Sequence, residues 1–221
     1  GVKLKQYKGE LGDADYNKNQ RRIVEYMSSI RYNSGSYDEA LQLLNSAIEV
    51  NNRINSYDAQ VSNAGHYSFI GKVYNDQGKP GDAITALLKA ESIYLNNSDL
   101  HNSAIVENNL AYSYYRQGNY RLSIEKAGKA KNQLQEEGDL NNAGYSMTLI
   151  GSAYLQLGQY EPALAAHMES LLLREKSGNL NGQAYSWSRM GDLFKQSGSK
   201  ISSLQAYKRA QYMKQYASYR K

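Results

Sequence analysis

The chain has 221 residues, a formal net charge of +5 and no cysteine. Without thiols there is no disulfide frame and no thiolate metal site. So mild a charge is not a nucleic-acid footprint, and no apolar run approaches the roughly 18 residues of a membrane span, so neither nucleic acid nor membrane insertion is expected. Aromatic usage is lopsided, with 21 Tyr against 2 Phe and 1 Trp. A phenol buries its ring while its hydroxyl stays wet, which suits thin layers with much surface.

Residues 1–14 are polar and Lys-rich and read as a frayed lead-in. Gly1 reads as a cloning remnant with the native start missing ahead of it. The absence of Cys fits a reducing compartment and equally an unstapled secreted domain; the cytoplasm is the expected location. The periplasm is the alternative if a signal sequence has been removed. From about Asp15 to Asn33 a first helix is expected, with Ile23, Tyr26, Met27 and Ile30 at the spacing of one helix face. Asn33-Ser34-Gly35-Ser36 stops it, and Tyr37 to about Val50 forms a partner helix carrying Ala40, Leu41, Leu44, Ala47 and Ile48. The next unit opens near Asp58, turns at Gly78-Lys79-Pro80-Gly81 and continues through Ala83, Leu87 and Ala90. Asn96-Asn97-Ser98-Asp99, Gly138-Asp139 and Gly178-Asn179 separate the later units. Each supplies a residue for positive φ or an Asp/Asn able to cap the following helix.

One skeleton recurs through these units. The stop glycines Gly78, Gly118, Gly158 and Gly198 stand at a fixed spacing, 118 − 78 = 158 − 118 = 198 − 158 = 40. Seven positions before each stop is a small residue, Gly71, Ala111, Gly151 or Gly191, with Ser28 before Gly35. Four positions before each stop is a ring, Tyr74, Tyr114, Tyr154 or Phe194. A fixed period of this size is the mark of a stacked repeat. The small residue admits a close helix crossing and the ring fills the space beside it. Arg31 breaks the ring pattern in the first unit, which predicts a terminal unit with a polar outer face.

These residues resemble the tetratricopeptide repeat. Its pattern Trp-x2-Leu-Gly-x2-Tyr is matched by Trp187-x2-Met190-Gly191-x2-Phe194, Tyr67-x2-Ile70-Gly71-x2-Tyr74 and Met147-x2-Ile150-Gly151-x2-Tyr154. Its second half is matched by Ala83, Leu87 and Ala90 and by Ala40, Leu44 and Ala47. The spacing exceeds the family's usual period of about 34 residues. It resembles the long form found in kinesin light chains, Pins-like adaptors and bacterial peptide-pheromone receptors. The resemblance implies an all-α, right-handed superhelix (an α-solenoid) of about five helix pairs. Their expected bounds are 15–55, 56–97, 98–137, 138–177 and 178–219, in one repeat domain spanning 15–221.

The resemblance further implies a protein–protein interaction module that takes a peptide or partner segment along a groove of first helices. The alternative is a sensory or regulatory segment of a larger bacterial signalling protein, a histidine kinase or transcription regulator. The family's groove positions fall on Lys72, Asn108, Asn109, Tyr112, Tyr115, Tyr145, Thr148 and Ser152, with Arg116 beside them. Amides there can pair with any peptide backbone, and Tyr offers contact area at low entropic cost. Asn109 stands where kinesin light chains and Pins-like adaptors hold ligand backbone. The bland alternative is that Asn108 and Asn109 are solvated groove residues.

No catalytic group, metal set or cofactor is expected. Gly71…Gly78-Lys79 has the wrong spacing for a phosphate loop, and Pro80 replaces the hydroxyl residue. His66, His101 and His167 lack ligand spacing, and His167 falls on a core position. After Asp192 no acidic residue occurs, and that segment reads as a solvated terminal helix, a connector to a further domain or an electrostatic surface. Self-association through the terminal repeats is a further expectation.

Overall fold

The computed structural model describes residues 13–54 and 56–219, with side chains from Arg22 onward. Most of the expected lead-in, residues 1–12, lies outside the described residues, as do Arg220 and Lys221. The described residues form helices and no strand. In chain order these are α1 (Asp13–Asn33), α2 (Tyr37–Ile54), α3 (Tyr57–Asp76), α4 (Pro80–Asn96), α5 (Leu100–Arg116), α6 (Tyr120–Glu136), α7 (Leu140–Gln156), α8 (Tyr160–Lys176), α9 (Leu180–Gln196) and α10 (Lys200–Tyr219). They fall into two compact units, Gly1–Asn97 and Ser98–Lys221.

Each helix ends for the reason its sequence announces. Gly78, Gly118, Gly158 and Gly198 take φ between 73° and 86°. The N–H after each glycine then donates to the carbonyl of the ring residue: Lys79 to Tyr74, Asn119 to Tyr114, Gln159 to Tyr154 and Ser199 to Phe194. The next helices start on capping side chains. Asp99 accepts from the Asn102 N–H, Asp139 from Asn142 and Asn179 from Gly182. Such a cap contributes about 1 kcal/mol.

Ser98 occupies the place held by Gly138 and Gly178 in the later repeats and is left-handed at φ 56°. A side chain in that conformation costs about 1–2 kcal/mol, and Gly returns part of the gain as lost chain entropy. Ser98→Gly is therefore expected to stabilise the protein by about 0.5–1 kcal/mol. Chemical denaturation checks this, and an unchanged or lower midpoint would contradict the strain.

Within Gly1–Asn97, α1 packs on α2, α2 on α3 and α3 on α4. Leu41, Leu44, Ile48, Ile70, Val73 and Ala86 form its core, flanked by the Tyr32, Tyr67 and Tyr74 rings. Buried amides tie α2 to α3, with Asn51 Nδ2 donating to Asn63 Oδ1 at 2.9 Å and Asn63 Nδ2 to Asn52 Oδ1 at 2.9 Å. The outer surface of α1 differs from the polar face expected: Ile23, Tyr26, Met27 and Ile30 are 41–70% exposed.

Within Ser98–Lys221, every second helix packs on the next first helix, and the first helices α5, α7 and α9 also touch in sequence. Ala111, Ala127, Ala130, Leu134, Met147 and Ile150 belong to one core cluster. The crossings explain the small residues. A Cβ on Gly151 would lie 2.6 Å from His167 Cε1, and one on Gly191 2.6 Å from Tyr207 Cε1. Gly71 stands in the same relation to Leu87 in the other unit, at 2.5 Å from Cγ. In each pair the bulky partner is sixteen residues on, 71 + 16 = 87, 151 + 16 = 167 and 191 + 16 = 207. The third repeat divides the volume evenly, with Ala111 and, sixteen on, Ala127 in the same cluster.

Candidate functional site

Each first helix of Ser98–Lys221 carries one face that its second helix leaves uncovered. On α5 this face bears Asn109, Tyr112 and Tyr115, all part-buried, and the exposed Arg116. On α7 it bears Tyr145 and Ser152, also part-buried. On α9 it bears Tyr185, 42% exposed, and the part-buried Arg189. Arg116 Nη1 donates to Tyr112 Oη at 2.9 Å, one turn apart on α5. Tyr115 and Tyr120 set their rings 5.6 Å apart.

The three helices meet electrostatically at Tyr115. Burial, and secondarily the Tyr120 phenol, raise its pKa above the ordinary 10.0. Opposing them are the Arg189 charge on α9 and a hydrogen bond from Gln156 on α7. Gln156 belongs to the adjacent first helix α7, and Arg189 to α9, one helix pair further on. Arg189 lies 5.0 Å over the Tyr185 ring and pairs with Asp192 at 3.0 Å.

Two residues expected on this face do not belong to it. Asn108 is 3% exposed, donating from Nδ2 to the Asn142 carbonyl at 3.3 Å and accepting from Ser146 Oγ at 2.7 Å. Thr148 is 1% exposed, donating to the Gly144 carbonyl at 3.1 Å and meeting Ser170 Oγ at 2.8 Å. Both stand ten positions before their stop glycine; Asn108 joins α5 to the next first helix α7, and Thr148 joins α7 to its second helix α8, so both are covered. Lys72 is exposed on α3, in the Gly1–Asn97 unit, with Nζ 4.6 Å from the Tyr32 ring centroid.

The fourth repeat holds a buried polar chain that the sequence pattern did not single out. Ser170 Oγ donates to the Gly144 carbonyl at 2.7 Å and meets Ser186 Oγ at 3.0 Å. Arg174 Nη1 donates to Ser186 Oγ at 3.0 Å and to the Gly182 carbonyl at 2.9 Å. The third repeat places Ala130 and Leu134 at the corresponding positions, 170 − 40 and 174 − 40. That exchange of apolar for polar was the available signal.

Other features of the described residues narrow the chemistry. His167 is fully buried, and neither ring nitrogen has a hydrogen-bond partner. Burial first, then the Arg189 charge, lowers its pKa from 6.5 to about 4, with Asp192 opposing and Arg174 adding to the fall. Away from the first-helix face, Leu164, Met168, Leu172, Trp187 and Phe194 line an apolar hollow of about 580 Å³. Arg209 of α10 stacks 4.6 Å over Trp187 there. Among the described residues no group of three or more acidic or His side chains could hold a metal ion, and no helix is long and apolar enough to cross a membrane.

Residues 102–176 match the profile of the tetratricopeptide repeat family. No curated protein matches the sequence of this chain. Among solved structures, the fold is similar to BtubC (BKLC) from P. vanneervenii, with a TM-score of 0.79 and 15% identity over 98% of this chain and 87% of that one. It is also similar to aspartyl phosphate phosphatase F from Bacillus subtilis, with a TM-score of 0.81 and 14% identity over 97% of this chain and 55% of that one. Nearly identical TPR-like repeats from Podosopora anserina give a TM-score of 0.67 and 12% identity over 90% of this chain and 95% of that one. The family match covers residues 102–176, and the repeated helix pairs with their stop glycines give the described residues the fold of a tetratricopeptide-repeat α-solenoid.

Proposed function

We propose that the chain is an interaction module whose first-helix face in Ser98–Lys221 binds an extended peptide segment of a partner protein. The observation that carries this is the run of part-buried and exposed tyrosines on α5, α7 and α9, first helices that pack one on the next. Tyr112, Tyr115, Tyr145 and Tyr185 supply flat, stiff contact area along it. Asn109 is the amide placed to hold ligand backbone, and Ser152 lines the α7 part of the path. Arg116 sits at its edge and favours acidic flanks. Asn108 and Thr148 contribute by fixing the helices rather than by touching a ligand. Lys72, in the Gly1–Asn97 unit, is proposed as a peptide contact of that unit by itself.

Removing a ligand-facing amide strands its partner group and costs about 1–2 kcal/mol, roughly 5- to 30-fold in affinity. For a peptide selected on the intact chain, Asn109→Ala and Tyr112→Ala should weaken binding to that extent. Lys208→Ala, on α10, should leave it unchanged. Titration of the labelled peptide checks this. Loss of binding in Lys208→Ala with wild-type affinity in Asn109→Ala would transfer the site to the basic C-terminal helix.

A further inference from the structure

Three positions around the junction of the fourth and fifth repeats depart together from the pattern one period earlier. Leu134 and Ala104 of the third repeat become Arg174 and Gly144 in the fourth, and Asn142 of the fourth becomes Gly182 in the fifth, each one period on: 134 + 40, 104 + 40 and 142 + 40. The structural equivalence is independent of that arithmetic. The Leu134 carbonyl accepts from the Asp139 N–H after one stop glycine, and the Arg174 carbonyl accepts from the Asn179 N–H after the next.

The two glycines make room for the arginine. A Cβ on Gly144 would stand 2.9 Å from Arg174 Cγ, and one on Gly182 would stand 2.7 Å from Arg174 Cδ and 3.0 Å from Nε. The Arg174 stem therefore passes from α8 through a slot between α7 and α9. Its guanidinium emerges beneath the Tyr185 ring, 5.4 Å from the centroid. That ring belongs to the first-helix face and is itself 42% exposed. Replacing Leu by Arg, with a glycine on either side, carries a cation from the second-helix layer to the other face of the repeat.

The charge arrives there uncompensated. Arg174 is 4% exposed. Nη1 is held by a carbonyl and a hydroxyl, while Nε has no hydrogen-bond partner. Among the described residues no carboxylate pairs with it. The nearby Asp192 is already engaged, pairing with Arg189 at 3.0 Å and accepting from Tyr207 Oη at 2.6 Å. Arg189 approaches the same Tyr185 ring from 5.0 Å, so two guanidinium groups share one phenol. A buried guanidinium without a counter-charge is costly, and an incoming anion recovers that cost through charge-assisted hydrogen bonds.

Resting on the peptide-binding reading above, we infer that Arg174, with Arg189 and the Tyr185 ring, forms a carboxylate subsite that fixes an acidic residue of the bound peptide. The chemistry is a planar carboxylate meeting a planar guanidinium at the floor of the first-helix face. An internal Asp or Glu side chain and a C-terminal carboxylate both carry that group. Tyr185 covers the subsite, so the ligand enters as the ring swings aside.

The test uses the full chain and a random library of amidated peptides, with a parallel library bearing free C-termini. Selected amidated peptides should carry Asp or Glu at a fixed spacing from an aromatic or aliphatic residue. Exchanging that Glu for Gln should weaken binding about tenfold or more. The same exchange should lose its effect in Arg174→Gln and shrink in Arg189→Gln. Enrichment only in the free-carboxylate library would assign the subsite to a chain terminus. Peptides that bind without any acidic preference would overturn the subsite while leaving the peptide-binding face intact, and failure to select any peptide would overturn both. Should Arg174→Gln not fold, sodium acetate titrated against sodium chloride at equal ionic strength supplies a direct reading on the wild type. The Arg174 Nε–H resonance should shift with acetate alone, and an unmoved resonance would contradict the proposal.

Discussion

Gly151→Leu is expected to cost about 1–3 kcal/mol or more and to lower the melting midpoint by roughly 2–12 °C. The first added carbon already meets the His167 ring at 2.6 Å. That ring is fully buried, so it has no solvent side to retreat into. The helices α7 and α8 must part or the ring must leave its place, and either change loosens the packing between them. A matched control separates this from helix propensity. Gly128 lies in α6, and a Cβ added there would meet nothing within 4 Å. The added methyl removes only the entropic cost of glycine, so Gly128→Ala should stabilise by about 0.5–1 kcal/mol. Thermal melts of the two variants should therefore move in opposite directions. A Gly151→Leu variant that melts with the parent would remove the close crossing from the account.

The second large effect is the pH response of His167. Its folded pKa of about 4 lies below the unfolded 6.5, because burial and then Arg189 disfavour the imidazolium. Between those values the unfolded chain binds a proton that the folded chain refuses. The stability from this residue is therefore complete above pH 6.5, falls as pH drops toward 4 and levels off below it. The difference is worth roughly 3 kcal/mol. His167→Leu should remove this component. Leu87 already fills the corresponding place opposite Gly71, so the substitution copies a pairing the chain uses elsewhere. It also removes two ring nitrogens that have no hydrogen-bond partner. Denaturation at about pH 7 and about pH 4.5, on either side of most of the transition, should show the parent losing stability and the variant losing less. Equal losses in both would assign the acid sensitivity to other groups.

How far the sequence carries depends on whether a role is set by the chain's own period or by a neighbour. Gly118, Gly158 and Gly198 stop helices for local reasons, and their meaning was legible from spacing alone. The small residues Gly71, Gly151 and Gly191 were legible for the same reason, since a gap repeated in register implies a crossing repeated in register. Asn108 and Asn109 show where this ends. They are adjacent on α5, but Asn108 turns to Ser146 and the Asn142 carbonyl on α7. Helical spacing says that both could face outward; only the packing of α7 decides which one is covered. Thr148 was misplaced by the same step, because its partner Ser170 lies on another helix. Arg174 is the opposite case. As one basic residue near the end of α8 it attracts no notice, and its meaning depends on glycines 30 residues before and 8 residues after it, 174 − 144 and 182 − 174. Comparing each repeat with the one before it would have found all three substitutions at once.

The central claim is that the first-helix face of Ser98–Lys221 is the binding surface. Its most direct test is amide and side-chain NMR of the full chain, titrated with a peptide selected on it. Shifts should concentrate at Asn109, Tyr112, Tyr115, Tyr145, Ser152 and Tyr185. The indole of Trp187, stacked under Arg209 away from this face, should stay still. Shifts centred on Trp187, Met168 and Leu172, with the tyrosines of α5 and α7 unmoved, would place the partner in the apolar hollow and contradict the account.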